Sequence, residues 1–170
     1  MAASLILKST RFKHRIDDSK KLTPKARFLA YKEILKKAWV GVGIVSEKTI
    51  DRINIRNATR LAMEKATKSL KLKPDFLLID GKIPLTIESK KSYIVGGDSK
   101  SLSIAAASIV AKVTRDAIMC GYHEIYPRYG FLRHKGYGTK EHILCLMKYG
   151  PSPIHRVTFN PVKTLIKFKG

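Results

Sequence analysis

Residues 96–116, GGDSKSLSIAAASIVAKVTRD, constrain the fold of this chain more than any other stretch. A glycine pair predicts a turn, Asp98 follows it, and the next part is rich in small residues that favour a helix. One of the serines between 99 and 103 can cap that helix. A carboxylate and Lys100 beside a helix N-terminus form a candidate site for a metal and a phosphate. A buried alanine-rich core helix with an ordinary aspartate in its entry loop is the alternative interpretation.

The charge balance of the chain indicates a polyanionic partner. The 170 residues include 34 Lys+Arg and 13 Asp+Glu, a formal net charge of +21, yet 44% of residues are hydrophobic. That hydrophobic content predicts one folded domain with a core, and the basic residues are spread along the chain. Nucleic acid is the leading candidate partner because phosphate contacts give affinity through counterion release. The alternative is a proteome that is rich in lysine throughout.

The remaining composition favours a cytoplasmic protein. Cys120 and Cys145 lie far apart and have no histidine at zinc-finger spacing, so we expect both to be buried apolar residues in a reducing compartment. No apolar run reaches the roughly 18 residues that span a membrane, and no signal peptide is recognisable. The expectation is a cytoplasmic monomer that has no contact with a membrane.

Strands and helices alternate along the chain, which predicts an α/β or mixed α+β class. Thr23 and Pro24 have the residue types of an N-cap and a first helical position, so a helix should run from there to residue 38. The apolar run DFLLI at 75–79 predicts a strand covered on both faces. The basic segment that begins at residue 154 has no clear pattern. The other predicted elements are strands at 2–8, 39–45 and 92–95, and helices at 46–54, 57–70, 98–120 (with Thr114 as the candidate position for a break) and 139–148.

Two carboxylates follow predicted elements at positions where chemistry is common. Asp80 ends a buried strand and precedes Gly81, the place where open α/β sheets carry their sites, although a D-G turn is an equal alternative. Asp80 and Asp98 would be hard oxygen ligands of the type that Mg²⁺ prefers. Two-metal phosphodiester hydrolysis normally needs more than two carboxylates. Asp116 is a third candidate, but we favour a helix-surface charge beside Arg115.

Two further segments predict contacts with a ligand. In HKGYGT, residues 134–139, the flanking glycines leave Tyr137 free to approach and stack on a sugar or base. A tyrosine that packs a glycine-rich turn against the core is the alternative. In DSKKL, residues 18–22, Lys20 precedes a helix and could contact a phosphate, although a solvated loop lysine would look the same.

Seven motifs occur in the order and spacing of bacterial ribonuclease HII, and the chain resembles that family over roughly residues 2–165. The motifs are DDSKKL (17–22), INI (53–55), LIDG (78–81), GGDSKSLSIAAASIVAKVTRD (96–116), YPRYGF (126–131), HKGYGTKEH (134–142) and GPSPIHR (150–156). The resemblance implies a ribonuclease H-like mixed sheet flanked by helices over residues 1–163 and a basic tail at 164–170. It also implies an endonuclease that cuts the RNA strand of RNA–DNA hybrids. Such an enzyme nicks 5′ to a ribonucleotide embedded in DNA, with Mg²⁺ or Mn²⁺.

The resemblance also implies roles for four residues. Asp80 matches the third metal-binding carboxylate of the family and Asp98 matches the fourth. Tyr137 matches the tyrosine that stacks on the deoxyribose after the ribonucleotide. Lys20 matches a lysine near the scissile phosphate. A ring that stacks on a sugar lacking a 2′-OH would read the RNA-to-DNA junction.

One departure from the family affects the expected activity. The family's first strand carries a D-E-x-G-R-G segment, which supplies the other two carboxylates and a loop that contacts the ribose, and these residues contain no such segment. We therefore expect the sheet to lack an interior strand and this polypeptide to have impaired activity. A start placed too late would explain the departure, as would a paralogue that binds hybrids or duplexes without cutting them. A basic structural protein of a ribonucleoprotein is a third alternative, against which Asp80, Asp98 and Tyr137 argue.

Overall fold

The computed structural model describes residues 1–167 and has the expected α/β class. The last part of the predicted basic tail, residues 168–170, lies outside the described residues. The strands are β1 (Ala2–Leu7), β2 (Ala38–Gly43), β3 (Phe76–Asp80) and β4 (Lys90–Ile94). The helices are α1 (Pro24–Lys37), α2 (Glu47–Lys68), α3 (Leu102–Ile125), α4 (Phe131–His134), α5 (Lys140–Tyr149) and α6 (Val162–Lys167). Short 3₁₀ turns occupy Gly97–Ser99 and Pro127–Tyr129. No described helix is long and apolar enough to cross a membrane.

Local sequence signals account for several helix boundaries. The Thr23 side chain accepts a hydrogen bond from the Ala26 amide at the start of α1, as predicted for an N-cap. Thr139 caps α5 in the same way through the His142 amide. The two helices predicted at 46–54 and 57–70 form one element, α2, which is interrupted at Asn54, where φ is 64° and ψ is 167°.

The described chain divides into two compact units. Unit 1 comprises Met1–Val45 and Arg56–Val113, and unit 2 comprises Ser46–Ile55 and the described residues from Thr114 onward. Unit 1 contains all four strands in two sheets: β1 pairs antiparallel with β2, and β3 pairs parallel with β4. The main core of unit 1 contains Leu22, Ala30, Ile34, Ala38, Ala106, Ile109 and Val110. The core of unit 2 contains Tyr129, Phe131, Leu146 and Val162.

Four expectations from the sequence differ from the structure. Strand β3 is buried on one face only, at Leu77 and Ile79, because no element within residues 1–167 covers its second face. Helix α3 continues through Thr114 to Ile125 without a break, and α6 occupies a segment that has no clear sequence pattern. The prediction of buried cysteines is wrong because Cys120 and Cys145 are both partly exposed.

Two glycines of β2 allow the strand to lie against α2. A Cβ at Gly43 would lie 1.9 Å from the carbonyl oxygen of Ala62, and a Cβ at Gly41 would lie 2.2 Å from that of Ala66. Real side chains do not tolerate such distances, so the helix would have to move away from the strand. Glycine at these positions therefore sets the packing distance inside unit 1.

We expect Gly43→Ala to lower the free energy of unfolding by about 3 kcal/mol, since the clash is with backbone that cannot rotate away. Urea unfolding followed by far-UV circular dichroism would measure the change. The matched control is Gly121→Ala in α3, where no heavy atom lies within 4 Å of the added Cβ. The control should be neutral or up to about 1 kcal/mol more stable, because alanine favours helices. Equal losses in the two variants would contradict this account.

Candidate active site

Asp80 lies at the carboxyl end of β3, where a turn from the neighbouring strand contacts it. Asp80 is opposite Ile94 in the parallel register of β3 and β4. Parallel strands end at the same edge of a sheet, so the 3₁₀ turn Gly97–Ser99 after β4 reaches the end of β3. The Gly97 amide donates a hydrogen bond of 2.9 Å to Oδ1 of Asp80. This bond joins the segments that carry the two predicted metal ligands.

The glycine pair before Asp98 is required by this contact. Gly96 has φ +65°, in the left-handed region that favours glycine. Gly97 is buried, and a Cβ there would lie 2.5 Å from Cδ1 of Ile104 and 3.4 Å from Oδ1 of Asp80. The GGD sequence therefore permits the close approach of the turn to both the helix and the carboxylate.

The two carboxylates are available to a cation. Among residues 1–167, the Asp98 carboxylate has no hydrogen bond or ion pair, and the Asp80 carboxylate has only the Gly97 amide as a partner. By contrast, Asp51 accepts hydrogen bonds from the amides of Val157 and Thr158. Unpaired carboxylates are notable in a chain of net charge +21, because cationic partners are abundant.

The number of carboxylates, two, is within the range that Mg²⁺ takes from a protein. Mg²⁺ is usually held by one or two carboxylates together with substrate phosphates and water. In the described part of the chain, no group of three or more His, Cys, Asp or Glu side chains could hold a metal. Oδ1 of Asp116 lies 3.8 Å from Nη1 of Arg115, so the predicted pairing of these two charges is present, although the Asp116 side chain is only 20% exposed. Asp80 and Asp98 can thus contribute to a metal site but do not enclose one.

A groove in unit 1, which we call the inter-strand groove, leads to Asp80. It has a volume of about 670 Å³, and every residue of β1 and β3 lines it, together with part of α3. In residues 1–167, β1 pairs only with β2 and β3 pairs only with β4, so each strand has one unpaired edge. Phe76 and Leu78 lie in this groove and are 50% and 44% exposed. Exposed apolar side chains and unpaired strand edges are features of a surface that accepts another strand.

Lys20 lies in unit 1, in the loop that precedes α1. Its side chain is exposed, and its amide donates a hydrogen bond of 2.9 Å to Oδ1 of Asp18. Within the described residues, no direct contact joins Lys20 to Asp80 or Asp98. The structure therefore leaves the Lys20 ammonium group in solvent.

Tyr137 lies in unit 2, on a turn with two residues of positive φ. Lys135 has φ 50° and Gly136 has φ +77°, and this geometry presents a tyrosine ring that is 52% exposed. The Arg115 guanidinium carbon lies 4.8 Å from the centre of that ring. The tyrosine ring therefore lies at the surface of unit 2, an exposure that favours contact with a ligand over packing against the core.

Sequence reasoning missed a group of three histidines beside Tyr137, two of them buried and the third partly buried. His134 and His142 are 7% and 5% exposed, and their rings stack with centroids 4.4 Å apart. His155 forms a hydrogen bond of 2.9 Å with His142 through the two Nε2 atoms. The available signal was the presence of these three histidines in the motifs HKGYGTKEH and GPSPIHR.

The chain matches known proteins over nearly its whole length. The family model described as ribonuclease HII matches residues 2–162. Ribonuclease HII of Lactobacillus delbrueckii subsp. bulgaricus is 47% identical over 170 residues, which are 99% of this chain and 66% of that protein. Ribonuclease HII of Bacillus licheniformis is 51% identical over 164 residues, 96% of this chain and 64% of that protein. The chain thus spans about two thirds of the length of these curated relatives.

Two solved structures share the fold. The ribonuclease H2 of Pyrococcus horikoshii superposes with a TM-score of 0.71 at 20% identity, over 98% of this chain and 97% of the other. The ribonuclease HII of Archaeoglobus fulgidus, described in a complex with PCNA, gives a TM-score of 0.68 at 22% identity, over 85% of this chain and 78% of the other. The predicted ribonuclease H-like fold is confirmed, and the matched motifs, the family model and the relatives agree that this chain belongs to the ribonuclease HII family.

Proposed function

We propose that this chain functions in the cytoplasm as an endonuclease that cleaves the RNA strand of RNA–DNA hybrids and nicks 5′ to ribonucleotides embedded in DNA. Its chemistry is phosphodiester hydrolysis assisted by Mg²⁺ or Mn²⁺. The observation that carries the proposal is the hydrogen bond from Gly97 to Asp80, which joins two segments whose carboxylates have no cationic partner in the described chain.

In this proposal, Asp80 and Asp98 hold a divalent ion against the scissile phosphate. The bound ion would stabilise the developing charge on the phosphate and lower the pKa of an attacking water. Oδ1 of Asp80 is oriented by the Gly97 amide, which leaves Oδ2 to ligate the ion. The exposed Lys20 contributes positive charge for a nearby phosphate. Each of these residues stabilises charge on the backbone and reads no base sequence.

Tyr137 supplies the proposed selectivity for the sugar. Its exposed ring can stack on a deoxyribose, and a 2′-OH at that position would obstruct the stack. The Arg115 guanidinium over the same ring restricts the orientation of the ring and adds positive charge near the backbone. Such a site distinguishes a ribonucleotide that is followed by DNA from a continuous RNA strand.

A second candidate function is binding without cleavage. The observation that favours it is the small donor set, because Asp80 and Asp98 alone do not enclose a metal ion in the described residues. The inter-strand groove is open beside them. Both features agree with impaired catalysis by this polypeptide, whereas the net charge of +21 still favours binding to nucleic acid.

We expect the purified 170-residue polypeptide to bind an RNA–DNA hybrid but to cleave it slowly, at less than about 1% of the rate of a related ribonuclease HII. Its affinity should fall by roughly 10³-fold between 50 and 200 mM salt, because counterions are released from the phosphates. Fluorescence anisotropy and a gel assay with and without EDTA would measure the two properties. An all-DNA duplex of the same sequence is the control.

Each outcome of this experiment decides between the candidates. Slow, EDTA-sensitive nicking 5′ to a single ribonucleotide supports the nuclease. Tight binding with no metal-dependent product supports the binding protein. Turnover at ordinary family rates would contradict the expectation that two carboxylates are insufficient, and the absence of binding would overturn both candidates.

A further inference from the structure

Unit 2 contains a chain of hydrogen bonds that runs through two histidines to the backbone of Tyr137. The Ser152 amide lies 3.0 Å from Nδ1 of His155, and Nε2 of His155 lies 2.9 Å from Nε2 of His142. Nδ1 of His142 then lies 3.0 Å from the carbonyl oxygen of Tyr137. We call this chain of bonds the histidine relay.

The two ends of the histidine relay fix the proton positions between them. The Ser152 amide is always a donor, so Nδ1 of His155 accepts from it, and the Ser152 hydroxyl, 2.7 Å away, can donate to the same nitrogen. The proton of neutral His155 then lies on Nε2. Nε2 of His155 therefore donates to His142, whose own proton must lie on Nδ1. The Tyr137 carbonyl can only accept, and Nδ1 of His142 donates to it. Every group in the relay is satisfied in this one arrangement of protons.

A third histidine supports the same turn from its other side. The Gly136 amide donates to Nδ1 of His134 over 3.1 Å, which places the proton of His134 on Nε2, where it is donated to the Tyr129 carbonyl over 2.7 Å. The Tyr137 amide donates to the His134 carbonyl over 2.9 Å. The backbone of Tyr137 is thus anchored on both sides, while its ring remains exposed.

We propose that His142 and His155 are positioning residues that fix the backbone of Tyr137 so that its ring meets the nucleic acid in one orientation. The proposal rests on the proposed function, because it takes Tyr137 as the stacking residue. Neither histidine contacts the substrate. They restrict the conformations of the turn before binding. The turn therefore loses less conformational entropy when the nucleic acid binds, and the affinity is higher.

Burial keeps the relay neutral at physiological pH. Desolvation, helped by the nearby His142, lowers the pKa of His155 to about 4, and burial also lowers the pKa of His142. The groups that face His142 are His134 from α4 and His155 from the segment after α5, and Tyr129 packs beside His155. None of these neighbours is an acidic group that would stabilise an imidazolium.

The sign of the pH dependence follows from the lowered pKa. Unfolded His155 takes up a proton near its ordinary value of 6.5, whereas folded His155 does so near 4. The stability that the neutral ring contributes is therefore complete above pH 6.5 and is lost as the pH falls from 6.5 to 4. A second proton on His142 would place two donors opposite each other at the two Nε2 atoms. A second proton on Nδ1 of His155 would face the Ser152 amide and would have only the Ser152 hydroxyl as an acceptor.

The first test is nitrogen NMR of the histidine side chains in the unchanged polypeptide. We expect His142 to carry its proton on Nδ1 and His155 to carry its proton on Nε2 at pH 7. The opposite tautomer at His142 would overturn the relay, whatever the function of the protein. This measurement needs neither a variant nor a substrate.

The second test compares His155→Leu, which removes the relay, with His155→Gln, which keeps a donor near the position of Nε2. We expect the dissociation constant for a DNA duplex with one ribonucleotide to rise about tenfold in His155→Leu and to be restored within about twofold in His155→Gln. Tyr137→Ala should raise it at least as much, and His155→Leu should then have no added effect in the double variant. Additive losses in the double variant would overturn the positioning role. An unchanged dissociation constant in Tyr137→Ala would overturn the stacking role of Tyr137 and the positioning proposal with it. The histidine tautomers measured by NMR would still decide whether the histidine relay exists.

Discussion

Joining an extended segment that carries the family's D-E-x-G-R-G sequence ahead of Met1 should raise the rate of hybrid cleavage by at least about 100-fold. The physical reason is that such a strand would lie in the inter-strand groove, where β1 and β3 both have unpaired edges. Its acidic pair would add two ligands near Asp80 and complete a site for two metal ions. Single-turnover cleavage of a duplex with one ribonucleotide would measure the gain.

The matched control separates chemistry from stability. A strand with D-E replaced by N-Q should still fill the groove and pair with β1 and β3, because its backbone and volume are nearly unchanged. Both strands should raise the thermal unfolding midpoint, since each buried unpaired backbone group costs about 1–3 kcal/mol. Only the acidic strand should restore cleavage. Equal cleavage with the two strands, or with neither of them, would contradict the assignment of the groove.

The helices were largely predictable because their signals are local. Thr23 and Pro24 define the start of α1 through contacts within a few residues of the chain. The interruption of α2 falls at Asn54, the residue at which the first of the two predicted helices ends. Which faces of β3 are buried was not predictable. Phe76 and Leu78 are residue types common in strands, but their exposure depends on whether a segment distant in the sequence covers them.

The candidate site shows the same division between local and distant information. The sequence predicted Asp80 and Asp98 as ligands, but it could not show that the Gly97 amide joins their segments across 17 positions. The histidine relay was missed because His142 and His155 are 13 positions apart. Their roles also depend on the tautomer of each ring, which hydrogen bonds set and residue type does not. Residue identity thus predicts the type of ligand, while the geometry of the fold decides its partners.

In the chain that carries the acidic strand, Asp80→Asn should lower kcat by about 10²–10³-fold, a loss typical of removing one group that stabilises charge in the transition state. Asparagine keeps a side-chain oxygen that can accept the 2.9 Å bond from Gly97, so the turn should stay in place. The loss therefore reports on the charge of the carboxylate and its affinity for the metal. Raising the Mn²⁺ concentration should recover part of the rate, because a neutral oxygen is a weaker ligand.

Asp116→Asn is the matched control for that substitution. Asp116 lies beside Arg115 on α3, and we place it outside the metal site, so its variant should keep kcat within about twofold. The dissociation constant for the hybrid should change little in either variant, since phosphate contacts by Lys and Arg dominate affinity. A normal kcat in Asp80→Asn would remove Asp80 from the metal site. An equal loss in Asp116→Asn would instead indicate that negative charge in general, and not ligation by Asp80, supports the reaction.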